Sequence, residues 1–222
     1  MGRVTSLFVR KMVAAADGVD RDALLASVGL DPGHGPDPKV MIADTAYYDL
    51  LERIAERADV TELPLRAGAS MRCDDYGALG LAFKAAPTLR GSYARIERYA
   101  RLWTSVVEYE LRGADRGTLF ILHRAGARRL GLRLSNEATL ASAVSIARQV
   151  SPVSFAPLQV HLQHPAPGTI AHHERHFSCE VIFGSDLDAL LIAPEALDRP
   201  NRLGDEGITR FLLSHLDDEL AG

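Results

Sequence analysis

The sequence predicts an α+β fold in which N-terminal helices pack on an antiparallel sheet and a C-terminal helix closes the chain. The first observation behind this prediction is a change of period. Apolar residues recur at steps of three and four as far as Trp103, and they alternate with polar residues from Val107 onward. The second observation is a return to helical spacing after Asn201. Helices gathered before the strands are typical of the α+β class, whereas alternating strands and helices would indicate a parallel α/β sheet.

The N-terminal part of the chain is predicted to contain a series of short helices. They cover residues 5–16, 22–28, 44–58 and 65–71. Asp20 is a favourable N-cap for the second helix, because its side chain can accept a hydrogen bond from a free backbone N–H group. Residues 29–38 contain three glycines and three prolines, so they are predicted to form a loop, the only candidate linker before the end of the chain.

The segment 75–103 combines a glycine-containing turn with a long amphipathic helix. Pro87 lacks a backbone N–H and is tolerated where a helix begins, so a helix is predicted over residues 89–103. Its apolar face consists of Leu89, Tyr93, Ile96, Ala100 and Trp103. Gly77 and Gly80 are interpreted as hinges or close-packing points, because a nucleotide-binding loop would need a preceding strand and a third glycine.

Strands are predicted after this helix. Period-two alternation indicates strands over residues 107–112, 118–124 and 129–134, most simply arranged as an antiparallel meander. Ser135 or Asn136 is then expected to cap a helix that runs to Val150. The remaining predicted elements are strands over 158–164, 179–183 and 189–192 and a last helix over 201–220. Both faces of the strand through Phe120 are apolar, which predicts a sheet with helices on one side and a pocket or a partner on the other.

The composition excludes several classes of protein. Of the 222 residues, 47% are hydrophobic and 24% are charged, which is enough apolar material for one buried core. A net charge of −4 argues against a nucleic-acid-binding surface, which is usually basic. No apolar run approaches the roughly 18 residues that a membrane span needs, and residues 1–10 lack the features of a signal peptide. Cys73 and Cys179 are predicted to be free thiols of a reducing compartment, so we expect a cytoplasmic protein.

Aromatic residues mark a candidate ligand pocket between the helix over 89–103 and the strands that follow it. Apolar sites with a few placed polar groups are typical of small-molecule binding, although packing in the core is the alternative interpretation for each aromatic residue. The predicted ligand-binding residues are Arg72, Tyr76, Trp103, Tyr109, Phe120 and His123, with the arginine and the histidine as the polar contacts.

No motif indicates a catalytic or metal centre. His172 and His176 are four residues apart and would face one side of a helix, with His173 between them, but the His-Glu-x-x-His order is absent. We therefore interpret these histidines as a surface or helix-end group and predict no metal and no cofactor. The chain has no Gly-x-Ser-x-Gly sequence, and neither cysteine lies in a thiol-enzyme signature, so no catalytic residue is predicted.

Three short motifs, in order, resemble a known family. They are Tyr76-Gly77-x-x-Gly80, Ala86-Pro87-Thr88-Leu89 and Arg98-Tyr99-x-Arg101-Leu102. This order is similar to that of the N-terminal effector-binding domain, of the arabinose-type sensing subgroup, in AraC/XylS-type transcription regulators. The likeness extends from the segment 23–31 to Pro194 and so covers almost the whole chain.

The resemblance implies a single effector-sensing and dimerisation domain over residues 1–222 that is not an enzyme. Its expected partners are a small-molecule effector and a second copy of the chain, with no membrane. It would reach DNA only through a C-terminal helix-turn-helix module that is absent from this chain, and residues 200–222 resemble the segment that leads toward such a module. Ile208, Leu212, Leu216 and Leu220 are spaced by four, so the last helix, or the region 130–150, is expected to supply the dimer surface.

Two alternatives stay open at the level of sequence. One is a small-molecule hydrolase or isomerase that uses the same pocket, which would require a positioned acid and base. The other is a haem or metal sensor with His123, His161 or His176 as the axial ligand.

Overall fold

The computed structural model describes residues 1–222, and its N-terminal part is mainly helical. The first four are α1 (Ser6–Ala15), α2 (Arg21–Ser27), α3 (Asp44–Ala55) and α4 (Leu63–Ala69). Asp20 caps α2 as predicted, since its Oδ1 accepts a hydrogen bond of 3.0 Å from the backbone N–H of Ala23. Two short strands that the periodicity did not indicate, β1 (Arg3–Thr5) and β2 (Met41–Ala43), pair antiparallel before α1 and α3.

The glycine-containing turn forms a tight corner between two short helical segments. A 3₁₀ turn at Cys73–Tyr76 leads into α5 (Ala78–Ala85). Gly77 lies between them with φ at +59°, a conformation that favours glycine. A Cβ atom on Gly80 would lie 1.7 Å from the carbonyl oxygen of Cys73, so only glycine allows the turn to pack on α5. The predicted roles of both glycines are confirmed.

Helix α6 (Leu89–Tyr99) ends earlier than predicted and continues as a 3₁₀ turn at Ala100–Leu102. Thr88 is its N-cap, with Oγ1 accepting a hydrogen bond of 3.2 Å from the backbone N–H of Gly91. The strands β3 (Val107–Ala114) and β4 (Gly117–Arg124) then form an antiparallel hairpin.

The remaining elements complete the larger sheet and surround it. They are α7 (Leu130–Val150), β5 (Gln159–Leu162), α8 (Ala171–Phe177), β6 (Glu180–Phe183), β7 (Asp188–Ile192), α9 (Pro194–Leu197) and α10 (Glu206–Ala221). The sheet order is β3-β4-β7-β5-β6, and all pairs are antiparallel except β5 with β6. The predicted α+β class, with helices on a largely antiparallel sheet and a C-terminal helix, is confirmed.

One predicted strand is wrong. Residues 129–134 do not form the third strand of a meander, because α7 begins at Leu130. The predicted helix that runs to Val150 is confirmed, but it begins at Leu130 rather than at Ser135 or Asn136. Its first turns alternate Leu130, Leu132 and Leu134 with Gly131 and Arg133, a period of two that resembles a strand. The neighbour of β4 is instead β7, with Phe120 opposite Leu190.

Helix α7 forms the centre of the fold and packs against α3 and α4 as well as the sheet. It contributes residues such as Leu134, Leu140 and Val144 to a core of 42 buried residues. Because apolar residues lie on more than one side of α7, several elements pack around it, namely α3, α4, α8, β4 and β7.

The last helix packs on its own chain. Leu212 and Leu216 of α10 lie in a second apolar cluster together with Leu79, Tyr99 and Trp103. The expectation that the leucine row forms a dimer surface is therefore wrong for these two residues, since they are covered within the chain. The region 130–150 is mostly buried as well. None of the helices combines the length and the apolar character required to cross a membrane.

Candidate functional site

A cavity of about 80 Å³ lies where α6, α7 and the β3–β4 hairpin meet. Fifteen of its 22 lining residues are hydrophobic, so a ligand bound there would be held mainly by apolar contact. The cavity and α7 lie on the same side of the sheet, because Phe120 of β4 and Ile146 of α7 line it together. The prediction of helices on one face and a pocket on the other is wrong in this respect.

One wall of the cavity is formed by the sheet, through the side chains of β3 and β4 that lie on the same face. Val107 and Tyr109 of β3 lie opposite Arg124 and Leu122 of β4, and directly opposed residues share a face. Tyr109 stacks on Phe120 with ring centroids 5.2 Å apart and planes inclined by 11°. This stacked pair forms a flat aromatic surface.

Four of the six predicted ligand-binding residues line this cavity, namely Tyr76, Trp103, Tyr109 and Phe120. Their placement agrees with the predicted position of the pocket between the long helix and the strands. That they bind a ligand stays a prediction.

The two predicted polar contacts, Arg72 and His123, lie outside the cavity lining. His123 is three residues after Phe120, so strand alternation turns it to the opposite face, where its Nε2 lies 2.8 Å from Oε2 of Glu110. Arg72 is exposed at the start of the 3₁₀ turn, and its backbone N–H donates a hydrogen bond of 2.8 Å to Asp75.

Arg124 is the charged residue of the cavity, and the sequence interpretation missed it. It is half-buried, and its three hydrogen-bond partners are neutral. Nε donates to Oδ1 of Asn136 at 2.5 Å, Nη2 to Oγ1 of Thr139 at 3.2 Å, and Nη1 to the hydroxyl of Tyr48 at 3.3 Å. The period of two would have identified it, because Arg124 is four residues after Phe120 and so shares its face.

Helix α7 lines the cavity with hydroxyl groups that the sequence interpretation also missed. Ser135, Thr139 and Ser142 are spaced by four and three, so they lie on one helical face. Ser142 forms a short hydrogen bond to the hydroxyl of Tyr76. No local pattern distinguishes these residues from others in a buried helix, so only the packing of α7 against the sheet reveals them.

Two buried polar atoms in the cavity wall have no hydrogen-bond partner. They are Nε1 of Trp103 and the hydroxyl of Tyr47, which belong to side chains that are 6% and 1% exposed. Burial raises the pKa of Tyr47, and the charge of Arg124 and the hydroxyl of Ser135 offset this only in part. Each unsatisfied group costs about 1–3 kcal/mol. A ligand that supplied acceptors here would recover that energy.

The histidines considered as haem or metal ligands are dispersed. His123, His161 and His176 belong to β4, β5 and α8, and none lines the cavity. On α8, Nδ1 of His172 lies 3.1 Å from Glu62, while Nε2 of His173 lies 2.9 Å from Glu137. No group of three or more His, Cys, Asp or Glu side chains is arranged to hold a metal ion.

Glu137 forms a buried charged cluster on the side of α7 toward β5 and α8. The side chain is 1% exposed, and its Oε1 lies 2.7 Å from Nε2 of His164, although not in good hydrogen-bond alignment. Its Oε2 lies 2.9 Å from His173, and Arg133 contacts Oε1 at 3.4 Å. Burial alone would raise the pKa of Glu137, but His164 and His173 outweigh it and hold the pKa at about 2. We interpret this cluster as structural, because none of its members lines the aromatic cavity.

The α+β fold encloses an aromatic cavity, and comparison with known proteins identifies the family of the chain. Residues 18–201 match the family described as the arabinose-binding domain of AraC transcription regulators, N-terminal. Because the match spans most of the chain, the chain belongs to this family of ligand-sensing regulatory domains.

A solved structure shares the fold. The chain is similar to the transcriptional regulator CdpR from Pseudomonas aeruginosa, with a TM-score of 0.64 and 16% sequence identity. The similarity covers 94% of this chain and 62% of the CdpR chain. No curated protein sequence matches the chain.

Proposed function

We propose that this chain binds a small-molecule effector in the cavity between α6, α7 and the β3–β4 hairpin and couples binding to a DNA-binding module. The observation that carries the proposal is the cavity itself, an aromatic space with the unpartnered polar atoms of Trp103 and Tyr47 in its wall. Membership in a family of regulatory domains supports the same conclusion.

Two residues connect the cavity to α10. Leu79 and Trp103 line the cavity and also belong to the cluster that holds Leu212 and Leu216 of α10. A ligand that contacts Trp103 therefore favours one arrangement of this cluster and shifts the population of α10 positions. The proposed coupling to a DNA-binding module therefore passes from Trp103 through this cluster to α10.

An enzymatic use of the cavity has less support. Its lining includes no carboxylate and no histidine, so no group suited to proton transfer near neutral pH faces the space. Burial raises the pKa of the Cys73 thiol to about 12, which leaves little thiolate for nucleophilic attack.

We also propose that the chain acts as a homodimer, because regulators that bind paired half-sites on DNA are commonly two-fold symmetric. The dimer surface must lie outside the buried leucine row. Ile208 and Phe211 of α10 are exposed and apolar, and they are the residues of that helix that we assign to it.

The single tryptophan provides a direct test of ligand binding. Trp103 is the only tryptophan of the chain and lies in the cavity wall, so ligand titrations can be followed by its fluorescence without a label. We expect an effector to change this fluorescence saturably and to alter amide hydrogen exchange in residues 206–221.

A cavity-filling variant and a matched control make this test specific. Ala143→Leu fills the cavity and should abolish binding, whereas Ala14→Leu, on an exposed position of α1, should leave binding intact. Equal binding by wild type and Ala143→Leu would place the effector site elsewhere. Unchanged exchange in α10 on saturation would contradict the proposed coupling.

A further inference from the structure

We propose that the ligand of this cavity is a small monocarboxylic acid with an apolar body, and that Arg124 binds its carboxylate. The proposal rests on the proposed function, since it assigns a ligand class to the same cavity. It differs from what the family description suggests, because it disfavours a sugar.

Two hydrogen-bond donors of Arg124 are free to bind a carboxylate. A guanidinium has five N–H donors, and Arg124 uses one on Nε, one on Nη1 and one on Nη2 for its neutral partners. One donor on each terminal nitrogen is left. Two donors on the two terminal nitrogens match the two oxygens of one carboxylate.

The charge balance of the cavity supports an anion. Arg124 is the only charged side chain among the lining residues, so the cavity wall has one positive charge and no negative charge. No carboxylate contacts the guanidinium directly, because Asp188 is connected to it only through the side chain of Asn136, so a bound monoanion would be its direct counter-ion. A more highly charged anion would leave negative charge uncompensated in an apolar space.

A second unpartnered donor lies at the same end of the cavity. The charge of Arg124 and the hydroxyl of Ser135 both act on the Tyr47 hydroxyl, which has no hydrogen-bond partner of good geometry. Thr139, which accepts from Arg124, donates to the backbone oxygen of Ser135 at 2.9 Å. Arg124, Tyr47, Ser135 and Thr139 thus form one polar end, and the Tyr47 hydroxyl can donate to a carboxylate held by Arg124.

Most of the remaining wall is unsuited to a sugar. Away from the polar end the lining is mainly apolar, with groups such as Tyr109, Phe120, Phe83 and Ile146. Its polar groups are fewer, among them Thr5, Thr104, Ser142 and the indole N–H of Trp103. A sugar has a hydroxyl on nearly every carbon, and each hydroxyl buried without a partner is unfavourable. An alkyl or aromatic body has no such requirement, and the volume of about 80 Å³ favours a small one.

The decisive experiment compares matched ligands on the unmodified protein. Straight-chain monocarboxylates from acetate to decanoate, together with benzoate, are titrated by Trp103 fluorescence and by calorimetry, as are the primary alcohols of the same lengths and arabinose. We expect the best acid to bind roughly 10- to 100-fold more tightly than its alcohol, as the loss of a charge-assisted hydrogen bond predicts.

A variant and its control then test the role of Arg124. Arg124→Gln should remove the preference for acid over alcohol, whereas Arg116→Gln, in the exposed turn between β3 and β4, should retain it. If Arg124→Gln fails to fold, the comparison of acid and alcohol on wild type still decides the ligand class.

Each contrary result has a definite meaning. Equal affinity for an acid and its alcohol would overturn the carboxylate assignment and leave the cavity as a binding site. Binding of arabinose without binding of any acid would also overturn it, while supporting the proposed function. If no acid binds, this inference is wrong, and the proposed function is judged separately by whether any compound distinguishes wild type from Ala143→Leu.

Discussion

At the scale of single residues, Glu137 is a carboxylate that is almost completely removed from water. Its carboxylate is buried between His164 and His173, and replacing one member of such a group leaves the others without compensation. A carboxylate with a depressed pKa stabilises the fold at a pH above its unfolded value. This stabilisation is lost as the pH falls through the folded pKa.

Glu137→Gln is expected to lower the free energy of unfolding by about 3 kcal/mol at neutral pH. The pKa of Glu137 is lowered from 4.5 to about 2, so wild-type stability should decline as the pH falls from about 4.5 toward 2. The variant should lack that part of the decline. Urea unfolding across this range measures both effects, with Glu195→Gln, on an exposed glutamate of α9, as the control of equal charge. Parallel pH profiles for wild type and Glu137→Gln would contradict the assignment.

At the scale of elements, the corner between the 3₁₀ turn at Cys73–Tyr76 and α5 shapes one end of the cavity. Cys73, Tyr76, Leu79 and Gly80 all line the space, so the corner holds Tyr76 against the hydroxyl of Ser142. The close approach depends on the absence of a side chain at Gly80.

Gly80→Ala is expected to destabilise the protein by about 2 kcal/mol or more, because its Cβ would overlap the carbonyl oxygen of Cys73 at 1.7 Å. The displaced corner should also alter Trp103 fluorescence. Chemical unfolding provides the measurement. Gly35→Ala is the matched control, since a Cβ there meets nothing within 4 Å and its effect should stay within about 0.5 kcal/mol. Similar stabilities for the two variants would refute the packing argument.

At the scale of the whole molecule, α10 has two apolar faces with different roles. One face, through Leu212 and Leu216, joins the cluster that includes the cavity residue Trp103. The other carries Phe211, whose side chain is 74% exposed. Packing within the chain covers the first face, and the proposed homodimer would cover the second.

Substitutions on the two faces should therefore have opposite consequences. Leu216→Ala is expected to cost about 2–4 kcal/mol, because the leucine is 0% exposed, and to perturb Trp103 fluorescence. Phe211→Asp should change stability by less than about 0.5 kcal/mol and weaken self-association. Urea unfolding and light scattering over a concentration series measure the two effects. A strictly monomeric wild type at high micromolar concentration would refute the dimer, and an unchanged dimer in Phe211→Asp would place its surface elsewhere.

The sequence by itself determined most local elements and the aromatic part of the cavity lining. Helices, caps and strands depend on a periodicity and on side chains a few residues apart, which is why α6, the cap at Asp20 and the β3–β4 hairpin were predictable. Counting from Phe120 along β4 would also have placed Arg124, and not His123, on the face of the cavity, because alternate residues of a strand share a face.

Only the tertiary structure decided how distant segments meet. The pairing of β4 with β7, the burial of most of α7 and the hydroxyl face of Ser135, Thr139 and Ser142 all depend on contacts between residues far apart in the chain. The start of α7 shows the same limit, because residues 129–134 alternate like a strand in the sequence and join the helix only in the packed fold. A cavity is likewise the space left between packed elements, and its volume and polar end exist only once those elements are assembled.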